Sequence, residues 1–258
     1  MYPALKEKIQ ALESMQRYPE KLFYSGNLEL LKRPKVSIVG SRKPTSYSRN
    51  FTFALAKALG NAEICVVSGA ALGIDAVAHQ GAGTDNTIAV LPNGLAHKYP
   101  ALNKQLITSI ETNGLLLSQF DDDFFAMPWS FVARNETIVA LGDVLIVTHA
   151  DKDSGSMRSV EYAQSMGKKI YVLPQRLGES EGTNSLLKEG IAEPIYDIGE
   201  FVASFAGEAR LKEKDPFLQF CANNPTLDEA LSEYGEKVYE AELEGLIQIE
   251  NGKVFIEI

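Results

Sequence analysis

The chain is poor in cysteine and has no long apolar run. Cys65 and Cys221 are the only cysteines among 258 residues, which excludes a disulfide framework and leaves no zinc-binding spacing. We therefore expect both to be small buried apolar residues. No segment approaches the roughly 18 apolar residues of a membrane-spanning helix, and the N-terminus lacks the pattern of a secretion signal. These absences predict a cytoplasmic protein without a membrane anchor.

Several signatures of catalysis are also missing. The sequence has no Gly-x-Ser-x-Gly elbow, no P-loop, and no Gly-x-Gly-x-x-Gly after its first predicted strand, which disfavours a nucleotide triphosphatase or a dinucleotide cofactor. His97 and His149 lack partners at metal-ligand spacing. Asp75 and His79 are four residues apart and share a helix face, but a helix cap or a local hydrogen bond explains them better than acid–base catalysis. We expect no catalytic residue, no metal and no cofactor.

The net charge of −9 argues at first against a nucleic-acid ligand, because phosphate binding depends on Lys and Arg. The charge is unevenly distributed, however. Residues 30–62 contain seven basic residues and no carboxylate, whereas residues 208–258 contain twelve acidic and five basic residues. The acidic excess therefore lies mainly in the C-terminal segment, and a basic segment remains available near the start of the chain.

Short apolar runs alternate with helix-length amphipathic stretches through the middle of the sequence. Apolar strands separated by helices are typical of a parallel sheet that crossover helices cover on both faces. Residues 32–206 are therefore predicted to form a doubly wound, mostly parallel, Rossmann-like α/β domain. Its predicted strands are residues 36–39, 64–67, 87–91, 115–117, 144–147 and 170–173.

The flanking segments have a different character. Residues 1–31 are expected to form a short helical N-terminal segment, with Pro19 as a break. The last helix of the α/β domain is placed near residues 199–205, and the charged stretch 207–215 is expected to be a linker. Residues 216–258 are predicted to form a small winged-helix-like domain, with helices over 217–222 and 227–246 and a hairpin whose turn is Asn251-Gly252.

Ligands of open parallel sheets bind at the carboxyl ends of the strands, so the loops that follow the predicted strands are the candidate binding segments. Three of them are rich in small residues suited to anion binding, and the first carries an arginine whose guanidinium matches phosphate geometry. A later segment combines Phe131 with Arg134, a pairing suited to base stacking beside a phosphate contact. The candidate ligand-binding residues are Gly40, Ser41, Arg42, Lys43, Ser68, Gly69, Phe131, Arg134, Asn135, Ser154, Gly155, Ser156 and Lys169. Lys169 is included although its position just before the sixth strand favours the opposite edge of the sheet.

Taken in order, the motifs of these loops resemble the DprA/Smf family. The family patterns are Val-Gly-Ser/Thr-Arg, Ser-Gly-x-Ala-x-Gly-Ile-Asp-x-x-Ala-His, Tyr-Pro, Phe-x-x-Arg-Asn, Ser-Gly-Ser and Gly-x-Asn-x-Leu. They match residues 39–42, 68–79, 99–100, 131–135, 154–156 and 182–186. The resemblance covers residues 20–195, and the order of the motifs makes it specific.

The resemblance implies a homodimer, formed through the Rossmann-like domain, that binds single-stranded DNA in a basic pocket. It further implies that the protein protects incoming DNA and helps to load the RecA recombinase during natural transformation, without a catalytic step. If the loop before Phe131 touches DNA, the carboxylates of Asp121, Asp122 and Asp123 must point elsewhere, because they would repel phosphate.

The chain departs from the family pattern at several positions. Gln119 stands where the family commonly has Glu, Glu136 where it has Arg, and Gln175 where it has Gly. Residues 157–160 read Met-Arg-Ser-Val in place of Leu-x-Thr-Ala, so a basic charge is lost at Glu136 and gained at Arg158. These departures leave the details of the pocket wall open.

Two other functions remain as alternatives. A Rossmann-like nucleotide phosphoribohydrolase uses similar phosphate loops, but its Pro-Gly-Gly-x-Gly-Thr-x-x-Glu motif is absent, and Gly182-Thr183 is not followed by the required glutamate. The acidic C-terminal segment could instead be the functional part, as a protein-interaction module. Its charge disfavours contact with phosphates.

Overall fold

The computed structural model describes residues 2–214, 216–221, 223–243, 246–250 and 252–256. The chain divides into two compact units, Met1–Ile198 and Gly199–Ile258. The division falls before residue 206, where the sequence predicted the end of the α/β domain, because a helix that begins at Ile198 continues through the expected boundary.

An eight-stranded sheet forms the centre of the first unit, with the strand order β1-β5-β4-β3-β2-β6-β7-β8. The strands are β1 (Phe23–Gly26), β2 (Lys35–Val39), β3 (Cys65–Ser68), β4 (Thr87–Leu91), β5 (Leu115–Ser118), β6 (Val144–Val147), β7 (Ile170–Val172) and β8 (Glu193–Pro194). β1 pairs antiparallel with β5, and the remaining neighbours are parallel. Every residue of β2 to β6 is buried, and successive side chains point to opposite faces, so both faces of the sheet are covered. The predicted doubly wound α/β fold and its six strands are confirmed.

Helices follow the strands in alternation: α1 (Ser46–Asn61), α2 (Ile74–Ala82), α3 (Lys104–Asn113), α4 (Pro128–Leu141), α5 (Gly155–Ser165) and α6 (Glu181–Lys188). Local sequence sets their starting points. The Thr45 hydroxyl accepts a hydrogen bond from the Ser48 N–H and caps α1, while Pro128 supplies the fixed φ that suits the first position of α4. Among the described residues, no helix is both long and apolar enough to cross a membrane.

The strand order reverses between β2 and β6. From β2 the chain moves outward through β3, β4 and β5, and it then returns to the other side of β2 to form β6, β7 and β8. The loop after β2 therefore leads away to one side of the sheet and the loop after β6 to the other. A crevice lies between these two loops, at the carboxyl ends of β2 and β6. In open α/β sheets this reversal is where ligands bind.

The N-terminal segment is less helical than the sequence predicted. It contains short 3₁₀ helices at Gln10–Ser14 and Leu28–Lys32, but β1 lies between them as an edge strand that the sequence did not predict. Leu5, Ile9 and Leu12 recur at a spacing typical of a helix, but they are apolar because of the main core: Leu12 is fully buried in it, and Leu5 and Ile9 pack against it. Because β1 is held by pairing with β5, its conformation depends on a distant segment rather than on local periodicity.

Helix α7 (Ile198–Lys214) begins at the last residue of the first unit and continues into the second. The second unit also contains α8 (Pro216–Cys221), α9 (Leu227–Tyr234), α10 (Lys237–Leu243) and the hairpin strands β9 (Ile247–Glu250) and β10 (Lys253–Ile256). The expected linker 207–215 lies within α7 as far as residue 214, and residue 215 is outside the described residues. The predicted long helix 227–246 is two helices, because Gly235 ends α9 with a φ of +56° that favours glycine.

The predicted hairpin is present in the second unit, with Ile249 opposite Val254, although Asn251 of its turn is outside the described residues. The buried side chains of this unit, including Cys221, form a separate small core. In the first unit Cys65 is equally buried, as expected for both cysteines. The likeness of the second unit to a winged helix stays a prediction.

Candidate functional site

A cavity of about 790 Å³ lies where the strand order reverses. Most of the residues proposed from the sequence line it: Gly40, Ser41, Arg42, Lys43, Phe131, Arg134, Asn135, Ser154, Gly155 and Ser156. They come from the loop after β2, from α4 and from the start of α5. The fold thus brings together three segments that are far apart in the sequence.

The loop after β2 is fixed by its backbone. A Cβ atom at Gly40 would lie 2.7 Å from the Ile74 side chain, so only glycine fits beside α2. The Ser41 N–H donates to the His149 carbonyl oxygen (2.8 Å), and the Ser41 hydroxyl accepts from the Lys43 N–H (3.1 Å). These bonds tie the loop to the end of β6 and turn the chain toward the cavity.

Arg42 presents an exposed guanidinium group to the cavity. Its Cζ atom lies 5.2 Å from the centroid of the Phe131 ring, a distance typical of a cation–π contact. Within the described part of the chain, no carboxylate lies within ion-pairing distance of Arg42. The exposed Lys43 side chain likewise has no described ion pair. Both charges are therefore available to an anionic ligand.

Arg134 occupies a different environment, because it is buried to 3% exposure. Its Nη1 atom lies 3.5 Å from Oδ2 of Asp75, and its Cζ atom lies 6.0 Å from the Phe131 centroid. Burial lowers the pKa of Arg134, and burial also raises the pKa of Asp75 although the neighbouring guanidinium opposes that shift. Arg134 is thus an interior cation under the wall formed by Phe131.

Gly69 makes room for this ion pair. A Cβ atom at position 69 would overlap the Arg134 guanidinium group, and the Gly69 N–H donates to the Asp75 carboxylate (3.2 Å). The glycine lies next to the cavity rather than in its lining. Its part in the site is to let Arg134 approach the backbone.

His79 and Asp75 hold the loop after β3. The Thr87 hydroxyl donates to the Val66 carbonyl oxygen (2.7 Å), so it accepts from Nδ1–H of His79 (2.6 Å). Nε2 of His79 then accepts from the Ala70 N–H (3.2 Å), and burial lowers the pKa of His79 to about 3. A neutral imidazole fixed at both nitrogens supports the local hydrogen-bond interpretation over acid–base catalysis.

The N-terminus of α5 forms the opposite side of the cavity. Ser154, Gly155 and Ser156 lie at this end, where the first N–H groups of a helix have no partner within the helix and carry partial positive charge. The hydroxyl groups of Ser154 and Ser159 are buried and have no hydrogen-bond partner among the described residues. Unpaired donors at a helix N-terminus suit an anion.

One face of α4 supplies the remaining wall. Pro128, Phe131, Val132 and Asn135 are spaced as neighbours on a single helix face, and all four line the cavity. The carboxylates upstream of α4 point elsewhere, as phosphate binding requires. Asp121 pairs with Lys21 (3.5 Å), Asp122 accepts from the Tyr2 N–H (2.9 Å), and residues 121–123 are outside the lining.

The departures from the family pattern mostly lie away from the cavity. Glu136 accepts from the Gln16 N–H (2.7 Å), and the Gln175 amide donates to the Ser48 hydroxyl and the Thr148 carbonyl (both 2.9 Å). Arg158 is different, since it lines the cavity beside Ser159 while its Nη1 atom also bonds Glu161 (2.9 Å). Arg158 and Ser159 follow Gly155 by three and four residues, so all three share one face of α5. This spacing could have identified Arg158 and Ser159 as cavity residues from the sequence.

Ser68 and Lys169 are not part of the cavity. The Ser68 hydroxyl is fully buried and donates to the Ile38 carbonyl oxygen (2.7 Å), so it stabilises the sheet. Lys169 immediately precedes β7, whose first residue, Ile170, is opposite Leu145 near the start of β6. Because these strands are parallel, Lys169 lies at the amino edge of the sheet, opposite the cavity. The structure therefore places these two predicted residues outside the cavity lining.

The lining has more positive than negative charge. Arg42, Lys43, Arg134 and Arg158 face the cavity together with Asp75 and Asp151. Since Asp75 is paired with Arg134 and Glu161 with Arg158, the charges of the lining that remain unpaired among the described residues are those of Arg42 and Lys43 against that of Asp151. With the α5 N-terminus, this arrangement can bind phosphate groups at two sides of one cavity.

Comparisons with known proteins agree with the sequence motifs. The sequence model of the family described as DNA recombination-mediator protein A matches residues 1–206. DNA processing protein DprA of Streptococcus pneumoniae is 38% identical over 176 residues, which are 67% of this chain and 62% of the relative. Protein Smf of Escherichia coli is 34% identical over 185 residues, 69% of this chain and 50% of the relative. The match therefore spans less than two thirds of the length of each of these two relatives.

Two solved structures share the fold. One is the structure of DNA processing protein A from Helicobacter pylori, which is described by its single-stranded DNA binding mode. It matches this chain with a TM-score of 0.79 and 41% sequence identity, and the match covers 81% of this chain and 97% of that chain. The X-ray structure of DprA from Streptococcus pneumoniae has a TM-score of 0.73 and 34% identity, and covers 78% of this chain and 74% of that one.

Proposed function

As the chain is a member of the DNA recombination-mediator protein A family, we propose that its cavity binds single-stranded DNA. The observation that carries the proposal is that Arg42 and the N-terminus of α5 face each other across one cavity, at the point where the strand order reverses. The similar protein from Helicobacter pylori is described by its single-stranded DNA binding mode, which supports the same ligand here.

The dimensions of the cavity favour a single strand over a duplex. A volume of about 790 Å³ is within the range of pockets for small molecules, so a strand enters it one nucleotide at a time. Bases that are not stacked in a duplex can contact an aromatic ring, and Phe131 lies in the cavity wall.

The charged groups have separate tasks in this proposal. Arg42 and Lys43 bind phosphate from the side of the first loop, because their charges are exposed and unpaired by described carboxylates. The N–H groups at the start of α5, with the Ser154 hydroxyl, bind phosphate from the other side. Arg134 supports the wall from below through its ion pair with Asp75.

We further propose that the protein acts as a mediator rather than an enzyme. It protects DNA taken up during natural transformation and helps to load the RecA recombinase in the cytoplasm, as a homodimer formed through the Rossmann-like domain. Membership of a recombination-mediator family supports this role. The acidic second unit is assigned a protein-contact or structural role, because its charge disfavours phosphate. The phosphoribohydrolase alternative lacks the glutamate expected after Gly182-Thr183.

A salt-dependent titration tests the proposal. Single-stranded and double-stranded oligonucleotides of equal length are titrated with the full chain, and the mass of the protein in solution is measured alongside. We expect tighter binding of the single strand, with log affinity falling against log salt by about 0.7 per neutralised phosphate. Equal binding of both forms, or no binding, would contradict it. Release of free base from nucleoside monophosphates would favour the enzyme instead.

A further inference from the structure

Four large apolar side chains are exposed within one short stretch at the start of α4. Phe125, Met127, Trp129 and Val132 have exposed fractions of 69%, 48%, 56% and 42%. We call these four residues the aromatic rim. Apolar residues exposed next to one another, unlike single scattered ones, mark an interaction surface.

The rings of the aromatic rim are held in place by other aromatic side chains. The Trp129 indole contacts Phe120 at 5.6 Å and Phe124 at 5.5 Å, with interplanar angles of 75° and 61°. The Phe125 ring stacks on the His97 ring at 4.1 Å. Edge-to-face contacts fix the indole while more than half of it stays exposed, so little side-chain freedom remains to be lost on binding.

The aromatic rim is continuous with the cavity. Val132 and Pro128 line the cavity, and Trp129 follows Pro128 directly on the adjacent face of α4. Trp129 itself borders a neighbouring groove, whose charged residues are Arg17, Glu20, Lys21, Asp121 and Glu136. In this groove Arg17 pairs with Glu20, and Lys21 pairs with Asp121. A DNA strand that leaves the cavity across Pro128 therefore meets the Trp129 indole next.

We propose that Trp129 stacks on a nucleobase of the same DNA strand, one that lies outside the cavity. This inference rests on the proposed function, and it adds a second base contact to the site. Nucleobases are flat, and stacking on them is tolerant of sequence because every base presents a π-face. In a duplex these faces are covered by neighbouring bases, so the contact also favours single strands. The cationic cavity beside the rim attracts a polyanion rather than an apolar peptide.

Trp129 is the only tryptophan of the chain, so the tryptophan fluorescence comes from this residue alone. The full chain is titrated with oligodeoxythymidylate of about 20 nucleotides, a length that exceeds one binding site. An abasic oligomer of equal length provides the same phosphates without bases. Binding is followed separately by the anisotropy of a dye on each oligomer. We expect oligodeoxythymidylate to quench the tryptophan in step with binding, and the abasic oligomer to bind without quenching it.

Variants give a second measurement. Trp129→Ala should weaken oligodeoxythymidylate binding roughly 5- to 150-fold, the range typical of a lost base–aromatic stack, and leave abasic binding unchanged. Trp129→Phe should retain most of the affinity, because it keeps an aromatic face. Phe53→Ala is the matched control, since Phe53 is an exposed aromatic residue of α1 outside the cavity lining.

The outcomes separate this inference from the proposed function. If neither oligomer binds, the proposed function itself fails. If oligodeoxythymidylate binds with unchanged fluorescence and Trp129→Ala binds as tightly as the parent, the stacking role of Trp129 is overturned while DNA binding stands. Loss of RecA binding alone in Trp129→Ala would assign the rim to a protein partner and would also overturn it.

Discussion

Nη1 of Arg134 lies 3.5 Å from Oδ2 of Asp75, and both side chains are almost completely buried. The pair joins α4 to the loop after β3, since the same carboxylate accepts the Gly69 N–H. The two arginines next to Phe131 therefore differ: Arg42 is exposed and available, whereas Arg134 is interior and paired. Their substitution should affect different properties.

Arg42→Ala should weaken DNA binding about tenfold or more and reduce the salt slope by about 0.7, because one phosphate contact is lost. Arg134→Met should instead lower the free energy of unfolding by about 3 kcal/mol, because Asp75 is left buried without its partner. Salt-dependent titrations and denaturant unfolding of both variants test this difference. Lys57→Ala is the control, since Lys57 is exposed near the end of α1, at the other edge of the sheet. Equal salt slopes for the parent and Arg42→Ala would contradict the phosphate contact.

Gly69→Ala should lower the free energy of unfolding by about 3 kcal/mol, because the new methyl group displaces the Arg134 guanidinium from Asp75. Gly155→Ala is a matched change, because a Cβ atom there has no heavy atom within 4 Å. Its free energy of unfolding should stay within about 0.5 kcal/mol of the parent value. Urea unfolding curves measure both values, and a Gly69→Ala variant as stable as Gly155→Ala would show that Arg134 can move without cost.

Ser154→Ala should leave stability within about 0.5 kcal/mol of the parent, because the hydroxyl lacks a described hydrogen-bond partner. The same change should weaken DNA binding about 2- to 12-fold, since a donor to phosphate is removed. Ser68→Ala should behave in the opposite way, losing about 1 kcal/mol of stability because the Ile38 carbonyl oxygen loses its donor, with unchanged DNA binding. If Ser154→Ala destabilised the protein and bound DNA normally, its hydroxyl would be structural.

The pH dependence of stability should report His79. Its pKa is about 3 in the folded chain and about 6.5 in the unfolded chain, so between these pH values the unfolded chain binds more protons. The contribution of His79 is thus complete above pH about 6.5 and decreases toward pH 3, by up to about 1.4 kcal/mol per pH unit.

His79→Gln provides the comparison, because glutamine does not titrate. The variant should be about 1–3 kcal/mol less stable at pH 7, since the bonds to Ala70 and Thr87 are disturbed. The stability difference between parent and variant should shrink as the pH falls to about 4. Urea unfolding at several pH values measures it, and a constant difference would mean that the imidazole has the same pKa in the folded and unfolded chains.

The sequence alone determined the class of fold and the loops that form the site. Apolar runs such as 87–91 predicted parallel strands because both faces of such strands must be buried, and their carboxyl ends then fixed where a ligand binds. The motif order also identified the family. These features depend on local residue type and short spacing, which a sequence shows directly.

The tertiary structure decided what each candidate residue does. Arg42 and Arg134 are the same residue type near the same ring, yet the strand order and helix packing leave one exposed and bury the other beside Asp75. Ser68 and Ser154 are both in predicted loop motifs, yet the Ser68 hydroxyl donates to the Ile38 carbonyl oxygen, whereas the Ser154 hydroxyl has no described partner. Burial and pairing arise from contacts between distant segments, and a residue's charge or hydroxyl becomes available to a ligand only where those contacts leave it free.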